Sequence, residues 1–170
     1  MHFQTIGGPA PSDIDGLGLL WFKAPNLKAK CYQDGWPAGI TTDLLGSKYV
    51  VPPKIAPASV VPDLGLEDTD GNAKFTLTGD NLGVPDLSKA LNISVKNKVR
   101  VLTVAEDKLK VTITGASGLM KGTFVHPVSL KPAPFQGVLF QAQKFGSGFF
   151  LGEGESGAVT LIPADTPGVP

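Results

Sequence analysis

One cysteine and two histidines in 170 residues leave little reactive side-chain chemistry to arrange. The single thiol, Cys31, excludes an intramolecular disulfide and a thiolate metal cluster. In the setting KAKCYQDG it reads as a buried bystander in a small strand or turn rather than as a nucleophile. Neither sign of charge is in excess, since 15 Lys and Arg are matched by 15 Asp and Glu. A nucleic-acid binder carries a basic stripe, because neutralising phosphates supplies most of its non-specific affinity. The nearest approach, VKNKVR, mixes charge with valine and fits a solvated hairpin, so nucleic acid is not an expected partner. No run approaches the ~18 consecutive apolar residues of a membrane helix. The N-terminus, MHFQTIGGPAPSDIDG, has neither the basic start nor the apolar middle of a signal peptide, and a soluble chain is expected. Long helix-period patterns are missing too. Only VPDLSKAL (84–91) offers helical spacing, enough for about two turns.

What the chain does have is punctuation. Its 21 glycines and 15 prolines bound short apolar runs, as expected for many strands joined by tight turns. GLLWFKA (18–24) is the first strand candidate. Residues 25–62 read as irregular, because Pro52, Pro53, Pro57 and Pro62 prevent a continuous ladder. After Asp70 come AKFTLTG, LNISVKN, KVRVLTV, DKLKVTITG, GLMKGTFVHP, APFQGVLFQAQ, GSGFFLG and GAVTLIP, with connections such as KNK, AED, GASG and GEGESG. Consecutive strands with such short turns pair antiparallel, since a parallel partner needs a long crossover. The fold class is therefore all-β, an antiparallel meander forming a barrel or a strongly curled sheet. The organisation expected is an arm or linker over 1–17, a single β domain over 18–163 and a tail over 164–170.

Alternation assigns faces. Leu109, Val111 and Ile113 point one way, and Lys108, Lys110, Thr112 and Thr114 the other. The alternation fails at Val138, Leu139 and Phe140, and again in GFFL. Those strands are covered on both sides or meet a ligand, a lid or another chain, and the segment bearing Trp21 and Trp36 is the favoured cover. Gly137, Gly146, Gly148, Gly152, Gly154 and Gly157 fall where positive φ or close backbone approach is needed. Phe135, Phe140, Phe145, Phe149 and Phe150 supply apolar bulk.

Candidate chemistry is sparse. His2 lies in the arm. His126, in TFVHPV, ends a strand and is the one candidate base; Ser117 and Ser156, in GASGL and GESGA, are the candidate hydroxyls, but neither has the spacing of a nucleophile elbow. Turn serines and a surface histidine explain the same residues. In LEDTDGN, the oxygen-bearing Glu67, Asp68, Asp70 and Asn72 alternate around Gly71, as Ca²⁺ loops do, yet without an EF-hand's downstream Glu or flanking helices. An acidic turn accounts for them without metal. Glu153 and Glu155 belong to a solvated hairpin tip rather than to a pair of catalytic carboxylates.

The stretch GLMKGTF…FQGVLFQAQKFGSGFFLGEGESGAVTLIP resembles a C-terminal β-rich module of large secreted or surface proteins of Verrucomicrobia and Planctomycetes. The positions carrying the resemblance are Gly118, Leu119, Met120, Gly122 and Phe124; Phe135, Gly137, Val138 and Gln141; Gly146, Gly148, Phe150, Leu151 and Gly152; and Ser156, Gly157, Val159, Leu161 and Pro163. Weaker matches (LLWFKAPNLKAKCY, GSKYVVPP, GDNL, NKV) extend it over residues 19–163, and Met120 departs from the usual Phe. The resemblance implies an extracellular or cell-surface module of no settled activity. In that family more glycine-rich strands precede the module, which implies an open sheet edge here, and hence a homo-oligomer or an edge covered by the N-terminal arm.

The function expected is thus a non-catalytic β-module, structural, adhesive or ligand-binding. The alternative is a small hydrolase of esters or lactones, Ca²⁺-dependent through residues 67–72, with His126 as base and an acyl recess lined by Trp21, Trp36 or Tyr49. A third reading is a carbohydrate-binding module using exposed Trp and Tyr.

Overall fold

A computed structural model describes residues 4–6, 13–53, 59–66, 69–79, 82–83, 86–103, 106–152 and 155–164. Among them there is no helix. Eleven strands run in chain order: β1 Gln4–Ile6, β2 Asp13–Lys23, β3 Trp36–Ser47, β4 Ala73–Gly79, β5 Leu87–Ile93, β6 Val99–Val101, β7 Lys110–Thr114, β8 Leu119–Val125, β9 Pro132–Phe140, β10 Phe145–Leu151 and β11 Ser156–Pro163. β1, β2 and β3 form a three-stranded sheet, and the rest an eight-stranded one of order β6-β5-β4-β11-β10-β9-β8-β7. Every pairing is antiparallel. The edge strands β6 and β7 come into contact, so the large sheet nearly closes into a barrel.

The order is a meander written around a circle. Each strand from β4 to β11 neighbours the next in sequence, except across the seam between β6 and β7. One non-local pairing, β11 with β4, joins the ends of the run, from Gly157 opposite Gly79 to Pro163 opposite Ala73.

Inward positions alternate as the pattern predicts. On β7 Val111 and Ile113 are buried while Lys110, Thr112 and Thr114 face out. The interior is solid, with Phe75, Phe124 and Phe150 fully buried beside Met120, Leu77, Leu91, Ile93, Val159 and Leu161. Phe124 meets Phe150 edge-on at 5.0 Å, and Phe75 meets Phe135 at 5.2 Å. Glycines admit this bulk. Gly122 stands opposite Phe135 and Gly157 opposite Phe150, and each aromatic ring occupies the space a Cβ would need. Among the glycines expected at bends, Gly137, Gly146, Gly148 and Gly157 serve close approach, and neither these four nor Gly152 has positive φ; Gly154 lies outside the described residues.

Residues 60–66 plug one end, burying Val60, Val61, Leu64 and Leu66. The plug is tied to the β5–β6 turn by a hydrogen bond from Val60 N to Asn97 Oδ1 (2.8 Å), and to the β9–β10 turn by one from Gln141 Nε2 to Asp63 Oδ2 (2.9 Å).

Four expectations change. The helical spacing read over 84–91 gives way to a strand where it is described: Leu87–Ile93 is β5, whose ladder with β4 and β6 outweighs weak helical spacing, while residues 84–85 lie outside the described residues. The segment read as an arm contributes β1 and the start of β2. The region read as irregular contains β3, which pairs along β2 with register shifts between Gly16 and Leu19 and between Trp21 and Lys23. Cys31 is half-buried in the turn between β2 and β3, not in the core. The Pro-rich stretch from Lys48 onward does lack strands among the described residues up to Ala73.

Candidate functional site

The outer face of β7–β10 carries two parallel rows of side chains set by strand register. Thr112, Lys121, Gln136 and Phe149 stand side by side across the four strands. In the second row Lys110 faces Thr123, which faces Pro134. Leu151 follows Phe150, the partner of Phe135, and so stands beside Pro134. These eight residues surround a recess of about 550 Å³, whose floor includes Gly122, Phe135 and Phe150. The volume suits a small ligand or a few units of a polymer.

The recess is polarised. Lys110 and Lys121 are diagonal neighbours on β7 and β8, roughly 7–8 Å apart at Cα, close enough to share one anion. Among the described residues neither has a carboxylate within salt-bridge distance. The opposite wall is apolar, with Phe149 45% exposed and Leu151 47% exposed. Gln136, Thr112 and Thr123 lie between as donors and acceptors. Gly137 and Gly148 are direct partners beside Gln136 and Phe149; a Cβ on Gly148 would lie 2.2 Å from the Gln136 carbonyl oxygen. The two strands therefore approach there as no pair bearing side chains could.

The residues expected to carry chemistry do not assemble. His126 is buried rather than on the surface, 8% exposed, because its Nδ1 accepts hydrogen bonds from Val128 N (3.2 Å) and Ser129 N (3.3 Å) and so shapes the turn after β8. Ser117 sits beyond the other end of β8, where its Oγ accepts from Leu119 N. Ser156 begins β11, three strands from β8, and its hydroxyl meets the Tyr32 hydroxyl. Of the oxygen-rich loop, Glu67 and Asp68 lie outside the described residues. Asp70 pairs with Arg100 at 2.8 Å in solvent. Asn72 is buried and clamps β5, its Oδ1 accepting from Ile93 N and its Nδ2 donating to the Ile93 carbonyl, both at 2.9 Å. Glu153 is outside the described residues, and Glu155 is exposed.

The three aromatic candidates have separate surroundings. Trp21 is 56% exposed, with its indole N–H donating to Thr42 Oγ1 on the adjacent strand. Trp36 packs on Tyr32, and the Lys23 ammonium lies over both rings, at 5.5 Å and 5.9 Å. Tyr49 packs over Gly118, and its hydroxyl donates to the Gly115 carbonyl at 2.6 Å. Burial raises the Tyr49 pKa above its ordinary value, and the Asp63 carboxylate raises it further.

Neither tryptophan covers the apolar outer strands. Val138, Phe149 and Leu151 stay exposed, because Trp21 and Trp36 are held within their own ribbon. Among the described residues, 49 and 50 reach only the adjoining turns, where Tyr49 lies on Gly118 and Val50 exchanges two hydrogen bonds with the Gln141 side chain. Phe140 is buried against Phe145 in a stack at 4.8 Å.

Lys121, Gln136 and Phe149 as one group escaped sequence reading. Alternation puts Lys110 and Thr112 on one face, and Lys121 and Thr123 share the parity of the next strand. The hairpin register that joins them, Thr112 with Lys121, depends on the geometry of the turn 115–118. Comparisons with protein-family models, with curated proteins and with solved structures gave no match to this chain.

Proposed function

We propose that this domain is a non-catalytic, ligand-binding β-module of a secreted or surface-exposed bacterial protein. One contrast carries the reading. His126, Ser117 and Ser156 are spread over the barrel and engaged in turns or contacts, whereas the outer face of β7–β10 gathers cations with no carboxylate partner among the described residues, an amide, hydroxyls and apolar surface around one recess. Hydrolysis needs an activated nucleophile and a positioned base within hydrogen-bond reach, and binding needs only the second kind of arrangement. The resemblance of residues 19–163 to modules of secreted proteins supports the extracellular setting.

Association with further copies belongs to the same proposal. Leu20, Trp21, Phe22 and Leu45 project from the β1–β3 ribbon and are more than half exposed. An apolar ribbon of this kind is a natural surface for self-association.

The test is a turnover screen run beside a binding screen. Chromogenic esters and acyl-lactones, with and without chelator, are expected to show no hydrolysis above background, while soluble ligands shift the melting temperature. Chelator-sensitive turnover abolished in His126→Ala would overturn the reading in favour of a metal-dependent hydrolase.

A further inference from the structure

We infer that the Lys110–Lys121 recess is a subsite for an acidic polysaccharide, with the lysines holding a carboxylate or sulfate and Phe149 and Pro134 meeting the C–H face of a sugar ring. The inference rests on the ligand-binding reading above and names its ligand class.

Four observations select this ligand. The two lysines are diagonal neighbours with no carboxylate partner among the described residues, so an anion is the complement the face lacks. Lysine is a compact point charge on a flexible stem, suited to a carboxylate that enters from solvent. Next to it, Thr112, Thr123 and Gln136 present hydroxyl and amide groups in register, matching the many hydroxyls of a saccharide. Phe149, Pro134 and Leu151 then supply flat apolar surface on the far side. From β7 to β10 the site spans three strand spacings, about 14 Å, the length of a few sugar units rather than of one.

An acidic peptide fits less well. An extended peptide gains most of its affinity by adding to a free strand edge. The recess lies on the outer face of β7–β10; β8, β9 and β10 are each paired on both sides, and the one unpaired edge, that of β7, faces β6 across the seam rather than the recess. The recess is also open along the outer face, which a polymer requires.

Calorimetry and affinity electrophoresis on the full chain test this with polygalacturonate and alginate as acidic probes, dextran and pullulan as neutral ones, and poly-glutamate as a non-sugar polyanion. The acidic glycans are expected to bind, with affinity falling as salt rises. Lys110→Gln with Lys121→Gln is expected to lose about tenfold in affinity, roughly threefold for each exposed ion pair. Lys74→Gln, on the outer face of β4, leaves binding unchanged. Phe149→Ala weakens the glycans and not poly-glutamate. All four positions are exposed, so near-UV circular dichroism stays that of the parent.

Neutral glycans bound as well as acidic ones, with no effect of the lysine substitutions, would overturn the anion subsite while leaving the ligand-binding reading intact. Poly-glutamate bound as tightly, with no effect of Phe149→Ala, would reduce the face to a general polyanion contact and end the glycan claim. Lack of binding to either acidic glycan also ends it. Only His126-dependent turnover in the separate screen removes the underlying reading.

Discussion

Gly157 and Phe150 face each other across β10 and β11, and a Cβ on Gly157 would sit 2.0 Å from the Phe150 ring and 2.6 Å from the Thr78 carbonyl oxygen. The ring is itself wedged against Phe124, so it has nowhere to retreat. Gly157→Ala is therefore expected to cost about 3 kcal/mol or more, read as a lower urea midpoint at unchanged slope. Gly71 provides the contrast. It has φ +76°, and among the described residues a Cβ there would meet only Leu102, at 3.4 Å, so Gly71→Ala carries chiefly the backbone penalty, about 1 kcal/mol. Glycine spacing alone does not separate the two cases, because the distinction lies in what stands opposite.

Tyr49 sets a pH dependence. Burial first, and the Asp63 carboxylate second, hold the phenol protonated in the folded state above its ordinary pKa near 10. The folded chain then binds more protons than the unfolded chain once pH exceeds about 10, so stability falls with pH from there up through the folded-state pKa. Tyr49→Phe should remove that part of the alkaline slope in denaturation curves from pH 8 to 11. It should also cost about 1 kcal/mol at neutral pH through the lost bond to Gly115.

At the scale of elements, a buried ion pair spans the seam between β6 and β7. Lys89, on the inner side of β5, meets Asp107, in the connection leading to β7, at 2.5 Å, with both side chains at 9% exposure or less. Asp107 also accepts from Leu109 N through Oδ1, and its carbonyl accepts from Val125 N at 2.6 Å, so one residue links β5, β7 and β8. Removing either partner leaves a buried charge alone, and Lys89→Met or Asp107→Asn should each cost roughly 3–5 kcal/mol. The double variant Lys89→Met with Asp107→Leu should recover part of that loss, and a double-mutant cycle measures the coupling. Asn72 acts similarly between β4 and β5. Asn72→Ala strands the Ile93 N–H and carbonyl, at about 2–3 kcal/mol, measured by thermal unfolding. By contrast Arg100→Ala, which breaks an exposed pair with Asp70, should stay within about 1 kcal/mol.

At the scale of the whole molecule, stability should be uneven. β4, β9, β10 and β11 are each paired on both sides and bury the phenylalanine core, whereas β6 is three residues long and β7 has one paired neighbour. Hydrogen exchange should therefore be slowest in β4 and β9–β11, faster at β6 and β7, and fastest in the β1–β3 ribbon. Uniform protection across the seam strands and the core strands would show that the barrel opens only as a unit. The site depends on the same architecture. Lys110, Lys121, Gln136 and Phe149 come from four successive strands, so their grouping survives only while β7 stays docked on β8.

The all-β class, the strand positions after Asp70 other than that of β5 (Leu87–Ile93, read late as LNISVKN), the inward and outward faces of β7 and the antiparallel hairpins were legible because each is decided by period-2 patterning and short Gly- or Asn-bearing turns, which act within about ten residues. The ribbon strand β3 was hidden because its sequence, WPAGITTDLLGS, does not alternate apolar with polar residues and carries Pro37 and Gly39, although its exposure alternates from Ile40 to Gly46. The pairing of β11 with β4, the Lys89–Asp107 link, the turn role of His126 and the four-strand recess were decided only in three dimensions. The first two join residues distant in sequence that closure of the sheet brings within reach, the recess joins neighbouring strands through hairpin register, and the His126 bonds, only two and three residues long, need the turn that returns β8 to β9. Local pattern dictates how each strand presents its two faces, and the long-range ladder dictates which faces meet.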